Sequence, residues 1–216
     1  IRLLSGGREI PMRFIGEADG TIDPGDSIEF YAIGTDSPFT STRTYLLVGG
    51  ATRVRRIGSS GGTGAPLAET GFPHAVESRE RFIYFSALRN GETENFFGDV
   101  VSSAPIDQRV TVTNIADAGG TATVDVSLQG VIKAPHRVEV RLNDQLLGTV
   151  SFEDQDHATA SYSVPASSLV EGANAVRFTA VGGPTDISLV DTVRSTYPST
   201  FRADGDALRF VAPAGS

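Results

Sequence analysis

The sequence predicts an all-β protein: a jelly-roll-like antiparallel β-sandwich in the C-terminal half, preceded by a smaller β-rich domain. Three observations predict it. Val138, Val140 and Leu142 alternate with Glu139, Arg141 and Asn143, and Val176 and Phe178 alternate with Arg177 and Thr179. That two-residue period belongs to a strand with one buried face. Short apolar runs separated by Gly, Pro, Asp and Asn recur along the chain every 8 to 15 residues or so, roughly the spacing of sandwich strands. Helical patterning is confined to Ser167–Glu171, a single turn closed by Gly172.

In the first half the apolar runs predict strands near Ile10–Ile15, Ser27–Ile33, Thr44–Val48, Thr52–Ile57, Arg81–Ser86 and Gly98–Val101. Between the first two, Asp23-Pro24-Gly25-Asp26 places proline where a turn needs a fixed φ and glycine where it needs a positive one. Gly58–Gly64 reads as a flexible loop. In the second half strands are expected near Arg109–Thr113, Ala122–Leu128, His136–Leu142, Leu147–Phe152, Ala158–Val164, Ala175–Ala180, Ile187–Val193 and Ala207–Val211, eight in all, the number of a jelly roll. Ser102-Ser103-Ala104-Pro105 is the expected boundary, because proline interrupts a central strand. The predicted domains are therefore 1–104, β-rich, and 105–216, the sandwich.

At 216 residues the chain is long enough to bury a core without staples. It has no cysteine, which excludes a disulfide framework, a thiolate zinc site and a cysteine nucleophile within it. A formal charge of −8 disfavours nucleic acid and anionic membrane surfaces as partners. Arg53, Arg55 and Arg56 are the nearest approach to a basic patch, and a solvated strand edge accounts for them. No apolar run approaches the roughly 20 residues needed to cross a bilayer, so no membrane insertion is expected. The chain opens at Ile1 without an initiator methionine, directly in the strand-like IRLL, and is expected to be a segment of a longer protein.

Several blocks of this sequence resemble the β-rich region that precedes the catalytic domain of secreted gingipain-like cysteine peptidases. They are GREIPMRFIGEADGTIDPGDSIEFYAIGTDSPFTSTRTYLL, FPHAVESRERFIYFSALRNGETENFFGDVV, and the last third from HRVEVRLNDQLLGTVSF to the C-terminal strands. The resemblance implies an exported, multidomain bacterial protein, extracellular or at the cell surface, with a caspase-like catalytic domain downstream as its intramolecular partner. The histidine and cysteine of that family have nothing to map onto here, and no catalytic residue is carried over. At Asn95-Phe96-Phe97-Gly98 the chain departs from the pattern, since related chains tend to place an aromatic where Gly98 stands.

Each candidate site is bounded by the chemistry it would need. Asp19, Asp23 and Asp26 crowd one turn and are the calcium candidates, because hard cations want several converging oxygens. Asp154 with Asp156 and Asp204 with Asp206 form lesser acidic turns. The same residues are ordinary turn formers, and none has the spaced ligand set of a calcium loop. No other cofactor is predicted. Paired carboxylates for glycoside cleavage are not marked by spacing. His74, His136 and His157 are too scattered for a metal triad, and His136 is expected simply to open a strand. There is no G-x-S-x-G, and Gly58–Gly64 runs into Ala65-Pro66 without the lysine of a phosphate-binding loop.

The aromatics Phe30, Tyr31, Phe82, Tyr84, Phe85, Phe96, Phe97, Phe178 and Phe210 are read as core, with Tyr45, Tyr162, Tyr197 and Phe201 as those able to reach the surface. Asp191 interrupts an apolar strand and, if buried, needs a partner such as Arg194 or Arg202. The residues mark no catalytic site, and the resemblance implies a noncatalytic accessory region, prodomain-like, that packs against or keeps latent the downstream peptidase domain. The competing expectation is a module that binds carbohydrate or a cell-surface protein, which exposed clustered tyrosines would favour.

Overall fold

A computed structural model describes residues 1–16, 20–21, 23–35, 40–49, 54–58, 71–91, 93–116 and 119–210. Its contacts divide into two units, Ile1–Thr63 with Gly91–Glu94, and Gly64–Asn90 with Asn95–Ser216.

The first unit holds β1 (Arg2–Ser5), β2 (Arg8–Ile10), β3 (Met12–Ile15), β4 (Ser27–Phe30) and β5 (Leu46–Val48). β1 lies between β2 and β5, antiparallel to both, and β3 pairs with β4. Leu3 and Met12 are its buried apolar side chains among the described residues. In place of the strand expected at Thr52–Ile57, the described part forms an isolated bridge of Arg56 with Met12, closed by Met12 N–H donating to Arg55 O at 3.3 Å and Ile57 N–H donating to Met12 O at 3.0 Å. Arg53 and most of the Gly58–Gly64 loop lie outside the described residues.

The second unit holds β6 (Phe72–Ser78), β7 (Ile83–Tyr84), β8 (Phe96–Phe97), β9 (Val100–Val101), β10 (Ile106–Val112), β11 (Thr121–Gly130), β12 (Pro135–Leu142), β13 (Gln145–Glu153), β14 (His157–Pro165), β15 (Gly172–Ala180) and β16 (Ser188–Ser199). One sheet runs β10-β15-β12-β13 and the other β14-β11-β16-β6, with β9 added to β16. β6 pairs with β16, β10 with β15, β11 with β14 and β12 with β13, first with last and inward. This nested pairing is that of a jelly roll, and the chain is an all-β protein built on an antiparallel β-sandwich.

The eighth main strand is β6; of the strand expected at Ala207–Val211, Val211 lies outside the described residues. Ala207 makes only a bridge to Asp204, while β6 supplies the edge beside β16. Ser102–Pro105, the expected domain boundary, accordingly lies inside the second unit, because β6 and β9 on its N-terminal side are hydrogen-bonded to β16 on the other.

The core is the meeting of the two inward faces. Val110 and Val112, Val138, Val140 and Leu142, and Val176 and Phe178 come from one sheet, and Val124, Val126, Leu128, Val190 and Val193 from the other. Each of these side chains buried away from water contributes about 1.5–3 kcal/mol before ordering costs. Tyr197, expected near the surface, is buried: Thr113 N–H donates to its hydroxyl at 3.1 Å, and the hydroxyl donates back to Thr113 O at 2.9 Å. The deepest polar contact is between His136 and Asp186. Nδ1 of His136 lies 2.7 Å from Oδ1 of Asp186, and its Nε2 faces the carbonyl oxygen of Asp154 at 2.9 Å. The second Asp186 oxygen accepts from the N–H groups of Arg137 and Gly182. The pair ties the start of β12 to the loop before β16.

Candidate binding surface

The hairpin of β7 and β8 is the most unusual surface element of the second unit. Its strands are two residues each, with Tyr84 opposite Phe96 and Ile83 opposite Phe97. Phe82 N–H donates to Phe97 O at 3.1 Å and Phe85 N–H to Asn95 O at 2.9 Å, which extends the ladder by a bond at either end. Side chains alternate across such a ribbon, so Ile83 and Phe97 share one face and Tyr84 and Phe96 the other, with Phe82 beside Tyr84. Phe97 is 3% exposed, whereas Phe82, Tyr84 and Phe96 are 59%, 60% and 43% exposed. The rings of Tyr84 and Phe96 stand 5.0 Å apart, tilted 45° to one another.

The backbone beneath this face is tied to the sandwich. Gly98 N–H donates to Val190 O at 2.8 Å, and Val190 N–H to Asp99 O at 3.0 Å, just before β9 joins β16. Extending the β7–β8 register one step puts Gly98 across from Phe82, which leaves that ring without a cross-strand side chain. A Cβ at Gly98 would meet Glu80 and the Val190 carbonyl oxygen, each at 3.4 Å, so the exposed rings are those of Phe82, Tyr84 and Phe96.

The core reading of Phe30, Tyr31, Phe82, Tyr84, Phe96 and Phe210 is thus corrected. Tyr31 is 78% exposed, and Phe30 and Phe210 also reach solvent. A two-residue strand has one face to pack and another with nothing over it, and alternation alone does not say which rings lie on the covered side.

Beside the hairpin opens a cavity of about 510 Å³ lined by Ala87, Leu88, Arg89, Lys133 and Gln155. Its wall is tied to β8: Asn95, which precedes Phe96, donates from Nδ2 to Leu88 O at 3.0 Å. Leu88 N–H donates to Phe85 O at 3.3 Å, and Gln155 Nε2 to Val131 O at 3.1 Å.

The turn at Asp23–Asp26 holds its carboxylates in turn-capping roles. Asp19 lies outside the described residues. Asp26 accepts from Asp23 N–H at 2.9 Å, Asp23 accepts from the Thr21 hydroxyl at 3.0 Å, and the Asp26 carboxylate sits where a Cβ on Gly16 would fall. Asp204 N–H and Ala207 O, and Ala207 N–H and Asp204 O, close the turn at Asp204–Ala207. Among the described residues no three His, Asp or Glu side chains gather as a metal would require.

Asp191 does have partners, though not Arg194 or Arg202. His157 Nε2 lies 2.9 Å from its Oδ2 and Arg79 Nε 3.5 Å from its Oδ1. Burial opposes ionisation of this carboxyl, but the hydrogen bond from His157 and the guanidinium of Arg79 outweigh it and hold Asp191 below the usual carboxylate range.

No protein-family model matches the chain, and no curated protein matches it. Among solved structures the chain is similar to dimeric latent PorU from Porphyromonas gingivalis, at 12% identity and a TM-score of 0.55. The match covers 68% of this chain and 14% of PorU, so the chain spans a small part of that protein's length. It also matches a carbohydrate-binding module, CBM36, solved with calcium and xylotriose, at 10% identity and a TM-score of 0.36, over 56% of this chain and 97% of that one. A GH26-CBM35 β-(1,4)-mannanase of Podospora anserina matches at 18% identity and a TM-score of 0.37, over 62% of this chain and 29% of that one. At these identities the likeness to PorU bears on the fold.

Proposed function

We propose that this chain is a noncatalytic, saccharide-binding β-sandwich region of an exported bacterial protein, and that the aromatic face of the β7–β8 hairpin is its contact surface. The observation that carries the reading is the exposed pair of Tyr84 and Phe96, held side by side on a hairpin hydrogen-bonded to the sandwich. Large aromatic rings left in water are costly unless they serve a contact, and a ring offers the C–H face of a sugar a flat apolar surface. Rings fixed on a short ladder lose little freedom when a ligand arrives, so more of the contact energy appears as affinity.

The test is isothermal titration of the chain with soluble polysaccharides, with Tyr84→Ala and Phe96→Ala alongside. Binding by the native chain that falls about tenfold or more in either variant supports the reading, a loss of at least ~1.4 kcal/mol of binding free energy. Binding indifferent to both substitutions would move the site elsewhere.

A second reading keeps the role implied by the resemblance: an accessory segment that packs against, or keeps latent, the downstream catalytic domain of a gingipain-like peptidase. It is supported by the sequence blocks quoted above and by the likeness to latent PorU over 68% of this chain. Titrating the chain against that catalytic domain, with cleavage of Arg and Lys peptides as the readout, separates the two. Dose-dependent inhibition would favour latency.

A further inference from the structure

The cavity beside the aromatic hairpin is cationic in a chain whose net charge is −8. Arg89 and Lys133, the only lysine, line it, and among the described residues no carboxylate does. Five arginines elsewhere are matched: Arg2 with Glu9, Arg13 with Glu29, Arg79 with Asp191, Arg141 with Glu139, and Arg177 with both Asp107 and Asp144. Among the described residues Arg89 and Lys133 enter no such pair. Two like charges turned into one cavity repel each other and leave its potential positive, a condition that a bound anion relieves.

The support beneath Lys133 is built. Ala134 O accepts from Asp154 N–H at 3.0 Å, and His136, three residues past Lys133, is locked between Asp186 and the carbonyl oxygen of Asp154. Gln155, which also lines the cavity, is held by side chain and main chain: its Nε2 donates to Val131 O, and its main-chain carbonyl oxygen accepts from Gln129 Nε2 at 2.6 Å. A volume of about 510 Å³ is that of a small-molecule site, where the usual range is about 300–1,000 Å³.

We infer that the ligand of this surface is an anionic saccharide, one that carries carboxylate or sulfate groups, with a sugar ring on Tyr84 and Phe96 and the anionic group in the cavity of Arg89 and Lys133. The inference rests on the saccharide reading above and specifies it. A guanidinium presents a planar fork of N–H donors that matches a carboxylate or sulfate edge, and an ammonium adds a compact charge beside it. The hydrogen bond from Asn95 to Leu88 ties the loop that lines the cavity to the strand that carries Phe96.

The experiment is isothermal titration at low and at physiological salt with polygalacturonate and dextran sulfate, each beside a neutral polymer, galactan and dextran. The native chain is expected to bind at least one charged polymer about tenfold more tightly than its neutral counterpart, roughly the worth of one hydrogen bond to a charged group. Which of the two is preferred distinguishes carboxylate from sulfate. Arg89→Gln with Lys133→Gln should abolish the preference and leave the thermal midpoint in place, whereas Tyr84→Ala should weaken charged and neutral polymers alike. Equal affinity for charged and neutral polymers, or a preference that survives the double substitution, overturns the inference while the saccharide reading stands. No binding to any of the four sinks both.

Discussion

Asp191 shows how one residue is placed by the ladder around it. In the pairing of β11 with β16, Ser127 faces Thr192 and Leu128 faces Val190, so Asp191 is the extra residue of a β-bulge. Bulges re-aim side chains, and this one lets Val190 and Val193 both point inward while the carboxylate reaches His157 and Arg79. The need for a partner was legible in the sequence, because an acid interrupting an apolar strand must be compensated. The partners were not, since Arg79 follows β6 and His157 opens β14, and nothing in spacing brings them to β16. The buried pair of His136 and Asp186, 50 residues apart, left no trace in the sequence for the same reason. Because the folded form holds Asp191 below the range of an unfolded carboxyl, its contribution is complete above that range and is lost as pH falls through the folded value. Asp191→Asn is therefore expected to cost less than about 1 kcal/mol near neutrality, His157 being half exposed and the pairs screened by water. It should also lose less stability than the native chain between pH 5 and pH 3, an interval bracketing the ordinary Asp pKa of about 3.9. Urea midpoints across that interval check it, and parallel curves for the two proteins would contradict it.

Among the elements, what alternation reveals and what it hides are clearly separated. β10 to β15 were legible because their inward residues recur largely every second position over seven to ten residues, whereas β16, broken by its bulge, was legible only as far as Val193. β6 was not, because its inward positions are Phe72, His74, Val76 and Ser78, only two of them apolar, and Pro73 argues against a central strand. Proline is tolerated there because β6 is an edge. In the β7–β8 hairpin the pattern was present but its meaning inverted, with three rings read as core standing in water. The two faces of this hairpin therefore make a stability comparison possible. Phe97→Ala, which removes a ring 3% exposed, is expected to cost about 3–5 kcal/mol. Tyr84→Ala, which removes one 60% exposed, should stay within about 0.5 kcal/mol. Urea unfolding of both variants measures this, and a cost at Tyr84 equal to that at Phe97 would mean that the outer face is covered and unavailable to a ligand.

At the scale of the molecule the sandwich draws on chain from both sides of residue 104, and this decides where it can be cut. The buried core runs from Val101 to Tyr197, with Val76 packed against it. β16 is laddered along Val193–Ser199 to β6 and at Ser188 and Leu189 to β9. A chain of residues 71–216 retains every strand of both sheets. It is expected to unfold in one cooperative step, as small single cores do. A chain of residues 105–216, cut where small residues and proline suggested a boundary, loses β6, β9, Phe97 and Val101 together. The outer edge of β16 would then present seven residues of unpaired backbone beside an opened core, the circumstance in which sheets associate edge to edge. Size-exclusion chromatography and urea unfolding of the two fragments distinguish the outcomes. The longer should elute as a single species with a sharp transition, and the shorter should aggregate or unfold without cooperativity. If the shorter fragment were instead a cooperative monomer, β6 and β9 would be appendages and not members of the fold, and the jelly-roll pairing of first strand with last would lose its energetic meaning.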